Sequence, residues 1–256
     1  MEISVVIPHY NSSELLLLAL QSVSRQTYLP KEVIIVDDCS NPSHIVSLNH
    51  MATLNFPFSL TIYYSDYNQG APAARNRGVR ESTYSYIAFL DSDDCWLDDK
   101  LALQKQAIGN FDFLYGNYKS FINSINFQRD LIEAYPVDYL HILRKNLSPV
   151  TLLLKKCSFI PFDERLRRCD DFKMSIEALS KGRRIGFVDL DLAHGFKNSI
   201  GGGGLTGSLL KMSSSFIKAC FILIYEQPRL SFYMIIFIFF EMVKFPIRCL
   251  KVFLRK

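Results

Sequence analysis

Three carboxylates, Asp91, Asp93 and Asp94, crowd together directly after a short apolar run, Tyr86 to Leu90. Like charges held this close repel: at ~4 Å and an effective dielectric of about 20, a pair costs on the order of 4 kcal/mol. A divalent cation removes that cost. Oxygen ligands on a loop suit Mg²⁺ or Mn²⁺, which keep several waters and share phosphate oxygens with a substrate. An isolated D-x-D is common at strand ends and helix starts, and Asp98 and Asp99 read simply as the opening of a helix. Asp91 to Asp94 differ because they are accompanied. Two more polar clusters, Pro8 to Asn11 and Asp37-Asp38, also follow directly on apolar, β-branched runs.

Those runs read as buried strands: Ser4 to Ile7, Glu32 to Val36, Leu60 to Tyr64 and Tyr86 to Leu90. Helical patterns lie between them. Asn11-Ser12-Ser13 offers N-caps for a helix carrying Leu15, Leu16, Ala19 and Val23. Arg75 to Ser82 follows Asn68-Gln69-Gly70, and Asp98-Asp99 opens an amphipathic helix through Ile108. Strands alternating with helices predict an α/β fold with a mainly parallel, helix-covered sheet. In such sheets the ligand lies beyond the carboxyl ends of the strands. All three polar clusters belong there, facing one crevice. Farther on, the sequence predicts a strand at Phe111 to Tyr115, a helix near Val137 to Lys145, a helix from Asp170 to Lys181 stopped by Gly182, and a strand from Ile185 to Leu192 with His194 after it.

The chain has 256 residues, 49% hydrophobic and 21% charged, which supports a sizeable core and excludes global disorder. A net charge of +4 is too small to argue for a nucleic-acid partner. Six scattered cysteines without CxxC spacing read as reduced thiols, and Met1 to Pro8 reads as a strand, not a signal peptide. The chemistry is therefore expected on the cytoplasmic side.

From about Leu209 the composition changes. Phe216 to Tyr225 and Leu230 to Phe240 are apolar runs, each shorter than the roughly 20 residues of a spanning helix. Lys244, Arg248, Lys251 and Arg255 then fall on one helical face amid aliphatic and aromatic residues. That pattern predicts a helix lying in a membrane surface with its cations toward anionic lipid. The chain divides into residues 1–208, with halves 1–108 and 109–208, and a membrane-associated segment 209–256.

Four motifs, in order and suitably spaced, carry a resemblance. They are Ser4-Val5-Val6-Ile7-Pro8-His9-Tyr10-Asn11, Val33-Ile34-Ile35-Val36-Asp37-Asp38-Cys39-Ser40, Asn68-Gln69-Gly70 with Ala74-Arg75-Asn76-Arg77-Gly78, and Phe89-Leu90-Asp91-Ser92-Asp93-Asp94. The first 100 or so residues resemble the family 2 glycosyltransferases. The resemblance implies a GT-A fold, a nucleotide-sugar donor, often a UDP-sugar, and inversion at the anomeric carbon. It places Pro8 and Tyr10 at the base pocket, Asp38 on the nucleobase, Arg75 at the nucleotide, Asp91 at ribose or metal, and Asp93 on a metal (Mn²⁺ or Mg²⁺) bridging the diphosphate. Cys39 stands where the family usually has glycine.

The stretch Phe162 to Asp171 resembles the family segment that ends in Glu-Asp before a helix. Asp170 takes the Glu position and Asp171 that of the general base; a helix dipole there would lower the Asp171 pKa unless burial offsets it. His194 matches a histidine that contacts metal or diphosphate in some relatives. Gly202-Gly203-Gly204-Leu205-Thr206 and the segment Glu241 to Arg248 are similar to bacterial members that build O-antigen or capsular repeat units on polyprenyl diphosphate. The implied partner is a lipid-linked saccharide at the cytoplasmic face of the inner membrane. Two other readings stay open: an enzyme of the same fold acting on polyprenyl phosphate itself, and a non-catalytic nucleotide-binding scaffold.

Overall fold

β1 (Ile3–His9) is buried along its whole length, as a central strand of a parallel sheet must be. It lies between β2 (Glu32–Asp37) and β4 (Tyr86–Phe89), parallel to both, and β3 (Ser59–Tyr64) extends the sheet beyond β2. The crossovers are α1 (Ser13–Ser24), α2 (Pro42–Ala52) and α3 (Ala71–Glu81). After β4 come β5 (Asp94–Trp96), α4 (Lys100–Ala107), β6 (Phe113–Lys119), β7 (Tyr135–Pro136), α5 (Tyr139–Arg144), β8 (Leu153–Lys155), α6 (Asp170–Ser180), β9 (Ile185–Gly195), α7 (Leu205–Glu226) and α8 (Ser231–Phe253). This computed structural model describes residues 1–119, 132–145, 147–195 and 205–253. The glycine run 201–204 and the side chains of Thr206, Lys251 and Arg255 lie outside what is described.

Among the described residues one sheet runs in the order β3-β2-β1-β4-β8-β6-β9-β5, with β7 paired to β9. Its first four strands are parallel, and β8 joins β4 antiparallel. From β1 the chain winds outward through β2 and β3, then returns to the other side as β4. The loops after β1 and β4 therefore diverge, which opens the crevice of a topological switch point.

The sheet is covered on both faces, because successive residues point oppositely. Ile3, Val5, Ile7, Ala88 and Leu153 join Leu16, Leu20 and Leu101 in one core, whereas Val6, Ile87, Phe89 and Leu154 join Val79, Met174, Ile176 and Phe237 in the other. α3 lies so close to β1 that a Cβ at Gly78 would sit 2.3 Å from Val6 Cγ1. That contact fixes the height at which α3 presents Arg75 and Asn76.

Four sequence expectations change. α2 was not foreseen: only Leu48 and Met51 of it are buried, so its apolar period is weak, and its signal is Pro42 at the first helical turn. β5 converts the end of the Asp91–Asp94 cluster into a strand, antiparallel to β9. His194 lies inside β9, opposite Cys95, and not after the strand.

The fourth change concerns the apolar runs of the C-terminal segment. The second run does not stop at Glu241. α8 continues through it as a helix of 23 residues, and Pro228–Leu250 is long and apolar enough to cross a membrane by length and composition. The helix can continue because Glu241 accepts hydrogen bonds from Ser213 of α7 (2.5 Å) and from Arg248, two turns on. Lys244 donates to the Leu143 carbonyl (3.0 Å), so both described cations of the expected lipid-facing row turn to protein groups. The expected boundary at residue 208 falls within α7.

Candidate active site

A cleft of about 230 Å³ opens at the carboxyl ends of β1, β2 and β4; its walls include Pro8, Tyr10, Asp38, Arg75, Asp91 and Asp93. The three polar clusters singled out in the sequence thus meet in one place. Their loops are tied together. Asn11 N–H donates to Ser40 Oγ (2.9 Å) and Asn41 N–H to the Asn11 side chain (2.8 Å). Beneath them His9 Nδ1 meets Asp37 Oδ1 at 2.7 Å, and Ser12 N–H donates to His9 Nε2 at 3.3 Å. That pattern assigns the proton to Nδ1. Burial works against the Asp37 carboxylate, but the hydrogen bonds from His9 and Ser40 outweigh it and hold its pKa below the usual value.

Asp38 is buried, and its two oxygens accept from the Gln69 and Gly70 amides at 2.7 and 2.6 Å. Gly70 has φ +95°, so this cradle needs a residue without a side chain. Cys39, in the position where a glycine is expected, adopts a left-handed φ of +64°. Tyr10 is 51% exposed at the rim. The second wall comes from α3 and the turn after β4. Asp94 N–H donates to the Asp91 carbonyl (3.1 Å), closing that turn, and Tyr118 Oη donates to Asp94 Oδ1 (2.8 Å).

Arg75 is only 6% exposed, and both of its terminal nitrogens donate to carboxylates: Nη2 to Asp91 Oδ1 at 2.7 Å, Nη1 to Asp170 Oδ2 at 3.1 Å. Its neighbour Asn76 binds the Phe162 backbone in both directions, at 2.9 and 2.8 Å. Two consecutive residues of α3 therefore pull the segment before α6 against the cleft. This brings Asp170 and Asp171, the first residues of α6, to the site's edge. Burial raises the pKa of both. For Asp170 the Arg75 charge opposes the rise; for Asp171 the adjacent Asp170 charge adds to it, and its pKa reaches about 7. Burial thus outweighs the helix dipole that was expected to lower it.

The sequence model of glycosyl transferase family 2 matches residues 4–173, from β1 to the start of α6. The chain belongs to glycosyl transferase family 2. It is 28% identical over 181 residues to the Escherichia coli UDP-Glc:alpha-D-GlcNAc-diphosphoundecaprenol beta-1,3-glucosyltransferase WfgD, covering 69% of each chain. It is 30% identical over 210 residues to the amylovoran biosynthesis glycosyltransferase AmsB of Erwinia amylovora, covering 75% of this chain and 68% of that one. Among solved structures, the mannosyltransferase PcManGT of Pyrobaculum calidifontis, in complex with GDP-Man and Mn²⁺, superposes with TM-score 0.72 at 16% identity over 93% of this chain and 69% of that one. S. aureus TarS 1-349 in complex with UDP-GlcNAc gives 0.67 at 22% identity over 88% and 67%. These two show the fold, which is the GT-A arrangement that the motifs led us to expect.

Among the described residues no three His, Cys, Asp or Glu side chains gather closely enough to hold an ion between them, so Asp91, Asp93 and His194 do not form a ready set. Asp91 is turned to Arg75, and His194 is held in the β5–β9 pairing. The donors still fit Mg²⁺ or Mn²⁺. Such ions take one or two carboxylates and complete their shell with water and phosphate, and the cleft wall offers two, Asp91 and Asp93. Sequence reading missed three supports: the His9–Asp37 pair, the Tyr118–Asp94 bond and Asn76. The first two link residues far apart in the chain; Asn76 lies in a quoted motif, yet nothing in its spacing states its partner. All six cysteines are free thiols.

Proposed function

We propose that this transferase moves a sugar from a nucleoside-diphosphate sugar, with a UDP-hexose as first candidate, to a saccharide carried on polyprenyl diphosphate, at the cytoplasmic face of the bacterial inner membrane during O-antigen or capsular polysaccharide assembly. The observation that carries this reading is one juxtaposition. A cleft walled by Asp38, Asp91 and Asp93 is joined through the Arg75 guanidinium to Asp170, and the next residue, Asp171, has its pKa raised to about 7.

In this reading Pro8 and the exposed Tyr10 flank the nucleobase, and Asp38, already fixed by two amides, accepts from it. Asp91 and Asp93 take the diphosphate's cation, Mn²⁺ or Mg²⁺. When bound, the ion stabilises the negative charge that builds on the leaving diphosphate. Asp171 accepts the proton of the acceptor hydroxyl as its oxygen attacks the anomeric carbon and the bond to the diphosphate breaks. Attack opposite the leaving group inverts that carbon. A base with a pKa near the working pH is half ionised and still strong enough for this step. WfgD's name, with its diphosphoundecaprenol acceptor, supports the lipid-linked acceptor. The exposed apolar residues of α7 and α8, such as Phe221, Phe232, Ile235 and Phe239, support a place at the membrane.

Asp171→Asn tests the assignment. Turnover should fall by about a thousandfold or more, while the dissociation constant for UDP with Mn²⁺ changes less than about threefold. Retained turnover would move the base elsewhere.

A further inference from the structure

Arg75 occupies an unusual position for a residue expected at the nucleotide. It lines the cleft, yet its side chain is spent on two carboxylates from different parts of the chain: Asp91 at the end of β4 and Asp170 at the start of α6. The guanidinium lies 5.4 Å from the centre of the Phe162 ring, and its Nε is buried without an acceptor. The two end nitrogens therefore set its placement. Asp170 is not among the residues that wall the cleft. Asn76 to Phe162 and Arg167 to Asn68 also join this segment to the cleft's surroundings, but Arg75 is the side chain that holds both a cleft-wall carboxylate and Asp170.

We propose that Arg75 is a positioning residue that makes donor binding and placement of the Asp170–Asp171 pair interdependent, by holding Asp91 and Asp170 on the two ends of one guanidinium. This rests on the donor-site reading given above. The charge count shows why the coupling is substantial. One buried cation serves two carboxylates, so each has only a share of it. A cation arriving at Asp91 and Asp93 relieves Asp91 of its need for Arg75, and the guanidinium then turns its full charge to Asp170. Linkage makes the effect reciprocal: a change at Asp170 alters affinity for a metal–diphosphate that Asp170 does not touch. Only arginine can do this. Its planar fork reaches two carboxylates in fixed directions, whereas a lysine ammonium is a point charge that settles on one. Asn76, the next residue, ties the same segment by its backbone, so the segment keeps its place when the charge at residue 75 is shared differently.

The test is a thermodynamic cycle on the full chain. Calorimetric dissociation constants for UDP with Mn²⁺ are measured for the parent, Asp170→Asn, Arg75→Lys and the double variant. Asp170→Asn should shift the constant at least threefold in the parent and less than 1.5-fold in the Arg75→Lys background. Equal effects in both backgrounds, or none in either, overturn the proposal. A parent that binds no UDP with Mn²⁺ overturns the donor-site reading instead, and a ligand-free arm then decides on the bridge. The urea-midpoint shifts of Asp91→Asn and Asp170→Asn should fail to add in the parent and should add in Arg75→Lys. Additivity in both backgrounds removes the bridge.

Discussion

Asp171 is held to two opposing demands. Its folded pKa of about 7 lies above the usual carboxylate value near 3.9, so the native state binds an extra proton between those limits. Stability therefore falls as pH rises from about 4 to 7, the window in which a base gains its activity. Turnover should climb with pH through about 7. Asp171→Asn should flatten the stability profile and leave the variant more stable at pH 8 by about 1–2 kcal/mol. Urea unfolding at pH 5 and pH 8 checks this. Cys39 makes a second residue-scale case. An L-residue at φ +64° carries roughly 1–2 kcal/mol of steric cost, and glycine's larger unfolded entropy returns about half of it. Cys39→Gly should raise stability by about 0.5–1 kcal/mol in thermal denaturation. Both residues were legible in the sequence as positions; their environments were not. The Asp-Asp pair named a candidate base, but its pKa depends on burial and on a neighbouring charge balanced by Arg75, 95 residues away.

At the scale of elements, the parallel half of the sheet was legible because buried strands leave continuous apolar runs. α2 and β5 were not. One buries too little to set a period, and the other is three residues whose partners, Ala193 to Gly195 of β9, lie far downstream. α4 shows what a helix can hide. Lys100 is fully buried over the Trp96 ring, with Nζ donating to Gln104 at 2.7 Å, and burial drives its pKa well below the normal value. A lysine whose native pKa lies below its unfolded value binds fewer protons folded between the two, so stability should rise with pH toward about 10. Lys100→Met should add about 1–2 kcal/mol at pH 7 and reduce that rise. Chemical denaturation across pH measures both.

For the whole molecule the question is how α7 and α8 meet their surroundings. Leu230, Met234 and Phe237 are buried in the core shared with α6, so truncation before Leu230 would expose that core along with removing any anchor. Substitutions on the outer face separate the two effects. Ile235 and Phe239 are 61% and 63% exposed, and changing both to aspartate should preserve circular dichroism while reducing sedimentation with vesicles about tenfold or more. Since Lys244 and Arg248 turn to Leu143 and Glu241, neutral phosphatidylcholine vesicles should serve nearly as well as anionic ones. Unchanged sedimentation of the double variant would remove the membrane from the account. The sequence showed that this segment is apolar and basic. It could not show where the cations point, because their partners sit on α5 and within α8 itself.

In the proposed function, the cleft between β1 and β4 binds the diphosphate of a nucleotide-sugar through a cation on Asp91 and Asp93. Titration calorimetry with UDP, GDP, CDP and dTDP, each with and without Mn²⁺, measures this directly in the parent protein and in Asp93→Ala. One nucleotide, UDP first, should bind in the presence of Mn²⁺ and lose at least tenfold in affinity without the metal or without the Asp93 carboxylate. Failure of all four to bind, or binding that neither Mn²⁺ nor Asp93 affects, would contradict it.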